Sequence, residues 1–568
     1  MPFLDSPSAD DPPEARTHGA TERRRRGRRP ARHARGLFAA AALGVILVAG
    51  VGCSRSAGEA GDGGLPDIFL LTVDTLRADH LGAYGHEPAR TPTIDALAAR
   101  GTLFERAYTP LPRTTPGLAS LLTGLLPVRH GSREVGDPID DVPLLSELLS
   151  ARGYATLGVS GNGAAGGRQN LGRGFDQLLA GRRELPGTEA GPLTTKALEL
   201  VDGATLNAET PLFLWVHYVD PHFPYRPPKP WREGAGGEEC LELIDGRWKE
   251  SHIDVFDDVD GVSSRALESC RRLYDAEIAY VDAELRRLLD GLAERGRPAD
   301  DALVVFTADH GENLGERRLF YEHGPHVHDA SLRVPLIVAG PGVATRRDSD
   351  TARLEDLMPT ILSLLGVPDT DRPASDGVDL GPRLRPPPFG LELARRTDEP
   401  PPVLAESGSV LHLRSVRSLV SGRADARSCT HGPRFSLCGR DGEAMLLFDR
   451  DADPGLTVDV ASEHPEAIEA LLEQRQRWPA ESARELAVLD GRFKLVATPE
   501  RGGGWKRALY DLEADPGERR DVAGRHPEVV EQLGVRLDAL AAEIGAVAPA
   551  EARDDEALAT LRALGYVE

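Results

Sequence analysis

Five short, almost unbroken apolar runs, "DIFLLTV", "YATLGVS", "PLFLWVHYV", "ALVVFTA" and "VPLIVAG", recur between Asp67 and Val367, separated by stretches with helical periodicity. Continuous apolar character suits strands buried on both faces, and their alternation with helices predicts a mainly parallel α/β sheet flanked by helices. In "TPTIDALAARG", Thr91 reads as a helix cap, Pro92 sits in the first turn and Gly101 is the stop.

Beyond this core the composition changes. A proline-rich stretch at 386–402 reads as a linker, which leaves a catalytic domain over 67–385 and a smaller α+β domain over 403–568 with a helical tail. In the latter, "LLFDRDADPGLTVDVASEHPEAIEAL" and "ALYDLEADPGERRDVAGRHPEVVEQL" match at a constant offset, Asp449 with Asp511 and His464 with His526. The pattern is a duplicated strand-turn-helix unit, with Asp-Pro-Gly as turn chemistry.

The first 53 residues have the order of an export signal: a basic run from Arg23 to Arg35, an apolar stretch, and small residues ending at Cys53. A lipoprotein signal acylated at Cys53, a cleaved signal and a single membrane anchor all fit. Leu37 to Val51 is short against the ~20 residues a span needs, and a Gly/Ser-rich tether over 54–66 follows the cysteine, so the lipoprotein reading is favoured. The expected location is the cell envelope, on its periplasmic or outer side. Cys240, Cys270, Cys429 and Cys438 then remain as two expected bridges, Cys240 with Cys270 and Cys429 with Cys438. The formal net charge of −23 argues against nucleic acid as a partner.

Polar residues at the carboxyl ends of parallel strands mark where open α/β sheets build their sites. Asp74 follows the first run, and Asp309 and His310 follow "ALVVFTA". Two carboxylates and an imidazole form a mixed donor set for zinc, manganese or another divalent ion. In "TPLPRTTPGLASLLTGLLP", Pro116 suits a first helical turn and Thr114 or Thr115 the cap. A hydroxyl at that position faces unpaired N–H groups that favour an anionic ester, and a metal on the same oxygen would lower its pKa.

These residues resemble the sulfatase family of the alkaline phosphatase superfamily. The pieces include "VDTLRADHLGAYG", "TTPGLASLLTGLLPVRHG", "WVHYVDPHFPY", "TADHGE", "RVPLIVAGPG" and "LRALGYVE", in the expected order from about Pro66 to Glu568. The resemblance implies an alkaline-phosphatase-like core, a metal held by Asp74, Thr114, Asp309 and His310, and Thr114 as nucleophile. It also points to His222 and His323 as substrate contacts and as general acid or base, and to Arg77 as a substrate contact. Asp220, His222 and His323 are an alternative second metal set. The metal is divalent, of the zinc, manganese, calcium or magnesium kind.

The chain departs from sulfatases proper at two places. They carry a cysteine or serine, oxidised to formylglycine, in Cys/Ser-x-Pro-x-Arg, where this chain reads Thr114-Thr115-Pro116-Gly117-Leu118. Threonine cannot become that aldehyde. Thr-x-Pro is instead similar to the nucleophile turn of superfamily phosphodiesterases and phosphotransferases. Thr75 stands where many sulfatases have another metal-binding aspartate.

The reading is an exported metal-dependent hydrolase of phosphate, phosphonate or sulfate esters, with an anionic ester as substrate and the membrane reached through a lipid or anchor. A direct-threonine sulfatase, an envelope phospho-group transferase and a non-catalytic binding lipoprotein on this scaffold are the alternatives.

Overall fold

In this computed structural model the described residues are 64–207, 209–250, 263–316, 320–324, 326–386, 401–407, 429–431, 435–438, 446–449, 484–500 and 504–546. The export segment, most of the tether and linker, the remainder of the first Asp-Pro-Gly unit and "LRALGYVE" lie outside them. Among the described residues no helix is long and apolar enough to cross a membrane.

The chain first lays down β1 (Ile68–Val73), β2 (Thr102–Tyr108), β3 (Ala155–Ser160), β4 (Gln177–Ala180), β5 (Leu212–Tyr218) and β6 (Leu303–Ala308). A small pair, β7 (Asn313–Leu314) with β8 (Phe320–Glu322), precedes β9 (Arg333–Ala339), β10 (Arg346–Asp348) and β11 (Ala352–Arg353). Nine of these make one sheet in the order β10-β2-β9-β6-β1-β5-β3-β4, with β11 beside β2. Every residue of β1, β5 and β6 is buried, as their apolar runs require. Phe69, Phe213 and Phe306 are fully enclosed there; each such side chain contributes about 1.5–3 kcal/mol on burial.

Within this sheet β9 alone runs against the others, pairing antiparallel with both β6 and β2. "VPLIVAG" is thus a core strand as expected, but not a parallel one. An unbroken apolar run reports burial on two faces and carries no information on direction. Among the described residues between β6 and β9 there is no helix longer than four residues, and the chain returns beside β6 in the opposite sense.

Two helix starts depart from the sequence expectation. Thr91 occupies the cap position of α1 (Pro92–Arg100), but its hydroxyl gives no cap bond. The N–H groups of Thr93 and Ile94 go instead to Asp282, at 3.0 and 2.9 Å, from the long helix Ser264–Glu294. Similarly, α2 (Thr114–Thr123) has Arg113 at its cap position and Thr114 as its first helical residue. Thr115 is spent elsewhere: its hydroxyl donates to Ala164 O at 2.9 Å and accepts from Gly136 N at 2.8 Å. Gly124, at φ 71°, ends the helix in the left-handed conformation.

The C-terminal region forms a second, antiparallel sheet in the order β12 (Val403–Glu406), β16 (Leu486–Asp490), β17 (Phe493–Pro499) and β18 (Trp505–Asp511), and a smaller one of β13 (Cys429–His431), β14 (Phe435–Cys438) and β15 (Leu446–Asp449). One face of β16 and β17 packs Leu486, Val488 and Leu495 against Leu533 and Leu537 of helix Pro527–Ala546. The other face packs Ala487 and Val496 against Tyr108 and Leu332 of the catalytic core. The second Asp-Pro-Gly unit is a strand, turn and helix, with Asp515 accepting the N–H groups of Arg519 and Arg520 at 2.7 Å. Cys240 and Cys270 are bonded as expected. Cys429 lies opposite Cys438 in register across β13 and β14, while their side chains, and so the second bridge, lie outside the described residues.

Candidate active site

Four neighbouring strands, β6, β1, β5 and β3, deliver one buried cluster at their carboxyl ends. Asp74 follows β1, and its N–H continues the ladder to Tyr218 O at 2.8 Å. Asp309 and His310 follow β6. Asn162 follows β3, and His217 is the penultimate residue of β5. The next residue after Asp74 makes the turn: Thr75 has φ 55°, a conformation that a non-glycine residue rarely adopts and that clusters at functional sites. Its N–H donates to Asp309 Oδ1 at 3.2 Å, which joins the two loops.

The donor atoms converge. Nε2 of His310 lies 3.6 Å from Asp74 Oδ1 and 3.5 Å from Asp309 Oδ2, and Nε2 of His217 lies 3.7 Å from Asp74 Oδ2. Asp74 Oδ1, Asp309 Oδ2 and His217 Nε2 are buried without a hydrogen-bond partner. Three orphaned polar atoms at one point are costly unless something binds them. Tautomers agree with that role. Nδ1 of His310 lies 2.9 Å from Gly311 O, which only accepts, so Nδ1 carries the proton and Nε2 offers its lone pair. Nδ1 of His217 is likewise engaged, at 3.0 Å from Thr72 Oγ1. Asp74, His217 and Asp309 together offer three donor atoms within 4.8 Å of one another, and the set fits a divalent ion of the zinc class.

The carboxyls respond to burial in opposite ways. Burial by itself raises Asp74, yet the imidazoles of His217, His222 and His310 hold it well below the usual range. Burial and the Asp74 charge push Asp309 well up. Burial also lowers His310.

Thr114 opens α2 beside this cluster. Its Oγ1 is 3.5 Å from His310 Nε2 and 3.4 Å from Asn162 Nδ2. The same Asn162 amide donates to Asp74 Oδ2 at 2.8 Å, so one side chain holds both. Gly117 permits the approach: a Cβ there would stand 2.6 Å from Asp309 O. Arg113 is buried just behind, with Nε 3.2 Å from Glu134 Oε2. Glu134 also meets Arg484 at 2.8 Å, which ties the start of α2 to the C-terminal sheet.

His222 and His323 stand together on the other side, ring centroids 5.2 Å apart, and His323 stacks on His310 at 4.4 Å. Nδ1 of His222 gives its proton to Phe223 O at 2.6 Å. Burial lowers its pKa, but the Asp74 and Glu312 charges bring it above the ordinary value. Nδ1 of His323 meets Glu312 Oε1 at 2.9 Å, and Glu312 Oε2 accepts from Tyr225 at 2.8 Å. Burial pushes Glu312 up to about 7.

Two expected residues are placed elsewhere. Asp220 does not join His222 and His323; its Oδ2 accepts from Ala190 N at 2.7 Å, at the start of helix Ala190–Gly203, where first-turn N–H groups need acceptors. Burial pushes its carboxyl up to about 7. Arg77 makes four hydrogen bonds, to both Asp79 oxygens, Glu316 and the Glu312 carbonyl, so its fork ties the loop after β1 to the loop after β6.

The sequence reading left three contributors without a role. His217 is the single imidazole in an otherwise apolar strand, which was a usable signal. Glu312 stands two residues past His310. Asn162 lies in the glycine-rich "SGNGAAGG", where no local pattern singles it out.

A family model described as Sulfatase matches residues 66–367. The choline-sulfatase of Rhizobium meliloti (strain 1021) is 27% identical over 528 residues, 83% of this chain and 92% of that protein. Arylsulfatase A of Homo sapiens is 28% identical over 453 residues, 72% of this chain and 86% of that protein. Among solved structures, the phosphonate monoester hydrolase of Agrobacterium radiobacter aligns with a TM-score of 0.57 at 22% identity, over 84% of this chain and 96% of that one. That last likeness is one of fold.

Proposed function

The chain belongs to the sulfatase family, and on that premise we propose that it hydrolyses anionic esters with Thr114 as the nucleophile, phosphate and phosphonate esters ahead of sulfate esters. The observation that carries this reading is the position of Thr114 Oγ1, 3.5 Å from His310 Nε2 at the mouth of the orphaned donor cluster. The unmodified threonine, with Leu118 in place of arginine, favours phosphorus chemistry over formylglycine chemistry. Sulfate esters are the second reading, supported by the names of the choline-sulfatase and arylsulfatase A relatives.

A divalent ion, when bound by Asp74, His217, Asp309 and His310, supplies the positive charge that acidifies the hydroxyl and balances the ester. Asn162 orients the Thr114 oxygen. The Thr114 hydroxyl proton passes to solvent, that oxygen forms its bond to phosphorus as the bond to the leaving group breaks, and His222 or His323 gives the departing oxygen a proton. Water then attacks phosphorus and yields a proton to the same imidazole, the Thr114 oxygen leaves and takes up a proton from solvent, and the threonine is restored. Glu312 holds the His323 ring throughout. The export reading goes with this function, since the Cys240–Cys270 bridge suits an oxidising compartment.

The test is an initial-rate panel on the full chain with nitrophenyl phosphate, phosphodiester, phosphonate and sulfate, beside Thr114→Ala loaded with metal in the same way. Phosphoester or phosphonate turnover that vanishes in Thr114→Ala supports the proposal. Turnover that survives the substitution overturns Thr114, and sulfate turnover alone overturns the substrate order.

A further inference from the structure

Away from the Thr114 centre, His80, His86 and Asp275 each bring one ligating atom to within 4.8 Å of the others. His80 and His86 come from the loop that leaves Asp74, and Asp275 from the long helix Ser264–Glu294. Nδ1 of His80 is 2.6 Å from one Asp275 oxygen, and Nε2 of His86 is 3.5 Å from the other. The two rings stack at 4.9 Å, and the Tyr274 ring meets His80 edge-on at 5.0 Å. Two stacked imidazoles thus meet one carboxylate.

Three features favour a metal here over a plain hydrogen-bonded cluster. Among the described residues, Asp275 pairs with no lysine or arginine, only with two imidazoles. The side chains of His80, His86 and Asp275 are 11%, 22% and 30% exposed, so an ion and its waters have access. Two donors on one tetrahedral zinc stand roughly 3.3 Å apart; one atom from each of the three residues lies within 4.8 Å of the others, and the shortest pair, His80 Nδ1 with Asp275 at 2.6 Å, reaches that spacing by opening about 0.7 Å. In the comparable set of His326, His328 and Glu485, Nδ1 of His328 is instead held at 2.9 Å by a carboxylate outside the set, Glu518, which also pairs with the Lys494 ammonium at 2.7 Å.

We propose that His80, His86 and Asp275 form a second, solvent-accessible site for a divalent ion of the zinc class, with water completing its coordination. Imidazole with one carboxylate selects zinc, nickel or copper over magnesium or calcium. Such an ion clips the His80 loop to the long helix. Tyr274, next to Asp275, already donates to Thr75 O at 2.7 Å and accepts from Arg77 N at 2.9 Å, so the clip braces the turn that presents Asp74. The inference is independent of the reaction assigned to Thr114.

The experiment counts zinc on the full chain after chelator stripping and equilibrium dialysis against zinc. An Asp74→Asn/Asp309→Asn background disables the Thr114 centre, and His86→Gln or Asp275→Asn is added to it. The background is expected to keep one equivalent of zinc that either added substitution removes. No zinc on the background, or zinc unchanged by both added substitutions, overturns the proposal. Should the background fail to fold, wild type is compared with His86→Gln alone. One equivalent fewer on His86→Gln, with a smaller zinc-dependent rise in Tm, supports the site, and equal counts overturn it.

Discussion

Oε1 of Glu312 lies 2.9 Å from Nδ1 of His323, and its other oxygen accepts from Tyr225 at 2.8 Å. The carboxyl therefore engages Nδ1 and orients the ring that stacks on His310. Glu312→Gln keeps the shape and loses the charge that orients the ring. Its kcat is expected to fall by about 10–100-fold, with KM moving less. Steady-state kinetics at fixed metal concentration checks this; an unchanged kcat would remove His323 from proton transfer.

The orphaned atoms of Asp74, Asp309 and His217 predict dependence on an added ion. Chelation is expected to abolish turnover and a divalent ion to restore it, with Tm rising on loading. Asp74→Asn is expected to weaken metal binding by more than the roughly 100-fold that loss of an outer partner causes. Calorimetric titration and melting curves, read side by side, report the two effects.

Asp74, Asp309, His310 and Thr114 were legible in the sequence because each stands beside an unmistakable element: the first three follow an apolar strand, and Thr114 shortly precedes a proline in the first turn of a helix. Strand ends place side chains by topology alone, without tertiary detail. Asn162 and Glu312 were not, since their roles arise from partners 88 and 11 residues away. Asp220 misled for the converse reason, being near His222 in sequence but needed by the Ala190 N–H. Thr91 and Thr114 stand at helix starts as their sequence suggests, but Asp282 answers the N–H groups of the first helix, and in the second Arg113 takes the cap position and Thr114 is the first helical residue. The reversal of β9 was hidden as well, because apolar runs do not encode direction.

Gly117 sets how close α2 comes to Asp309. A Cβ would stand 2.6 Å from Asp309 O and 3.1 Å from Thr109 Oγ1, and the first of these is rigid backbone. Gly117→Ala is expected to cost about 1–3 kcal/mol by overpacking. Moving Thr114 away from His310 is expected to cost about 100-fold in kcat. Denaturant unfolding and initial rates on the same sample separate the two.

The Cys240–Cys270 bridge joins segments 30 residues apart beside the long helix. Replacing both cysteines by serine is expected to lower stability by about 2–4 kcal/mol, chiefly by freeing the unfolded chain. Reduction of the wild type is expected to reproduce the shift, and the serine variant to be insensitive to reductant.

A buried ion network joins the catalytic core to the C-terminal sheet and predicts an acid limb. Lys494 is fully buried, with Nζ 2.7 Å from Glu518 and 2.9 Å from Asp329, and Glu518 also holds Nδ1 of His328 at 2.9 Å. Burial by itself raises Glu518, but Lys494 and His328 bring it down from 4.5 to about 2. Asp329 faces the same ammonium yet is pushed up by burial, so Glu518 is the carboxylate that stays ionised in acid. A carboxyl whose folded pKa is depressed stabilises the fold above its unfolded pKa and loses that contribution as pH falls toward the folded value. For Glu518 the window runs from 4.5 down to about 2, and the contribution is roughly 3 kcal/mol. Glu518→Gln is therefore expected to be less stable than wild type at pH 7, with the gap closing as pH falls through that window. Chemical denaturation of both chains across the window reads it directly; a gap that persists at its acid end would mean that Glu518 acts by packing rather than by charge.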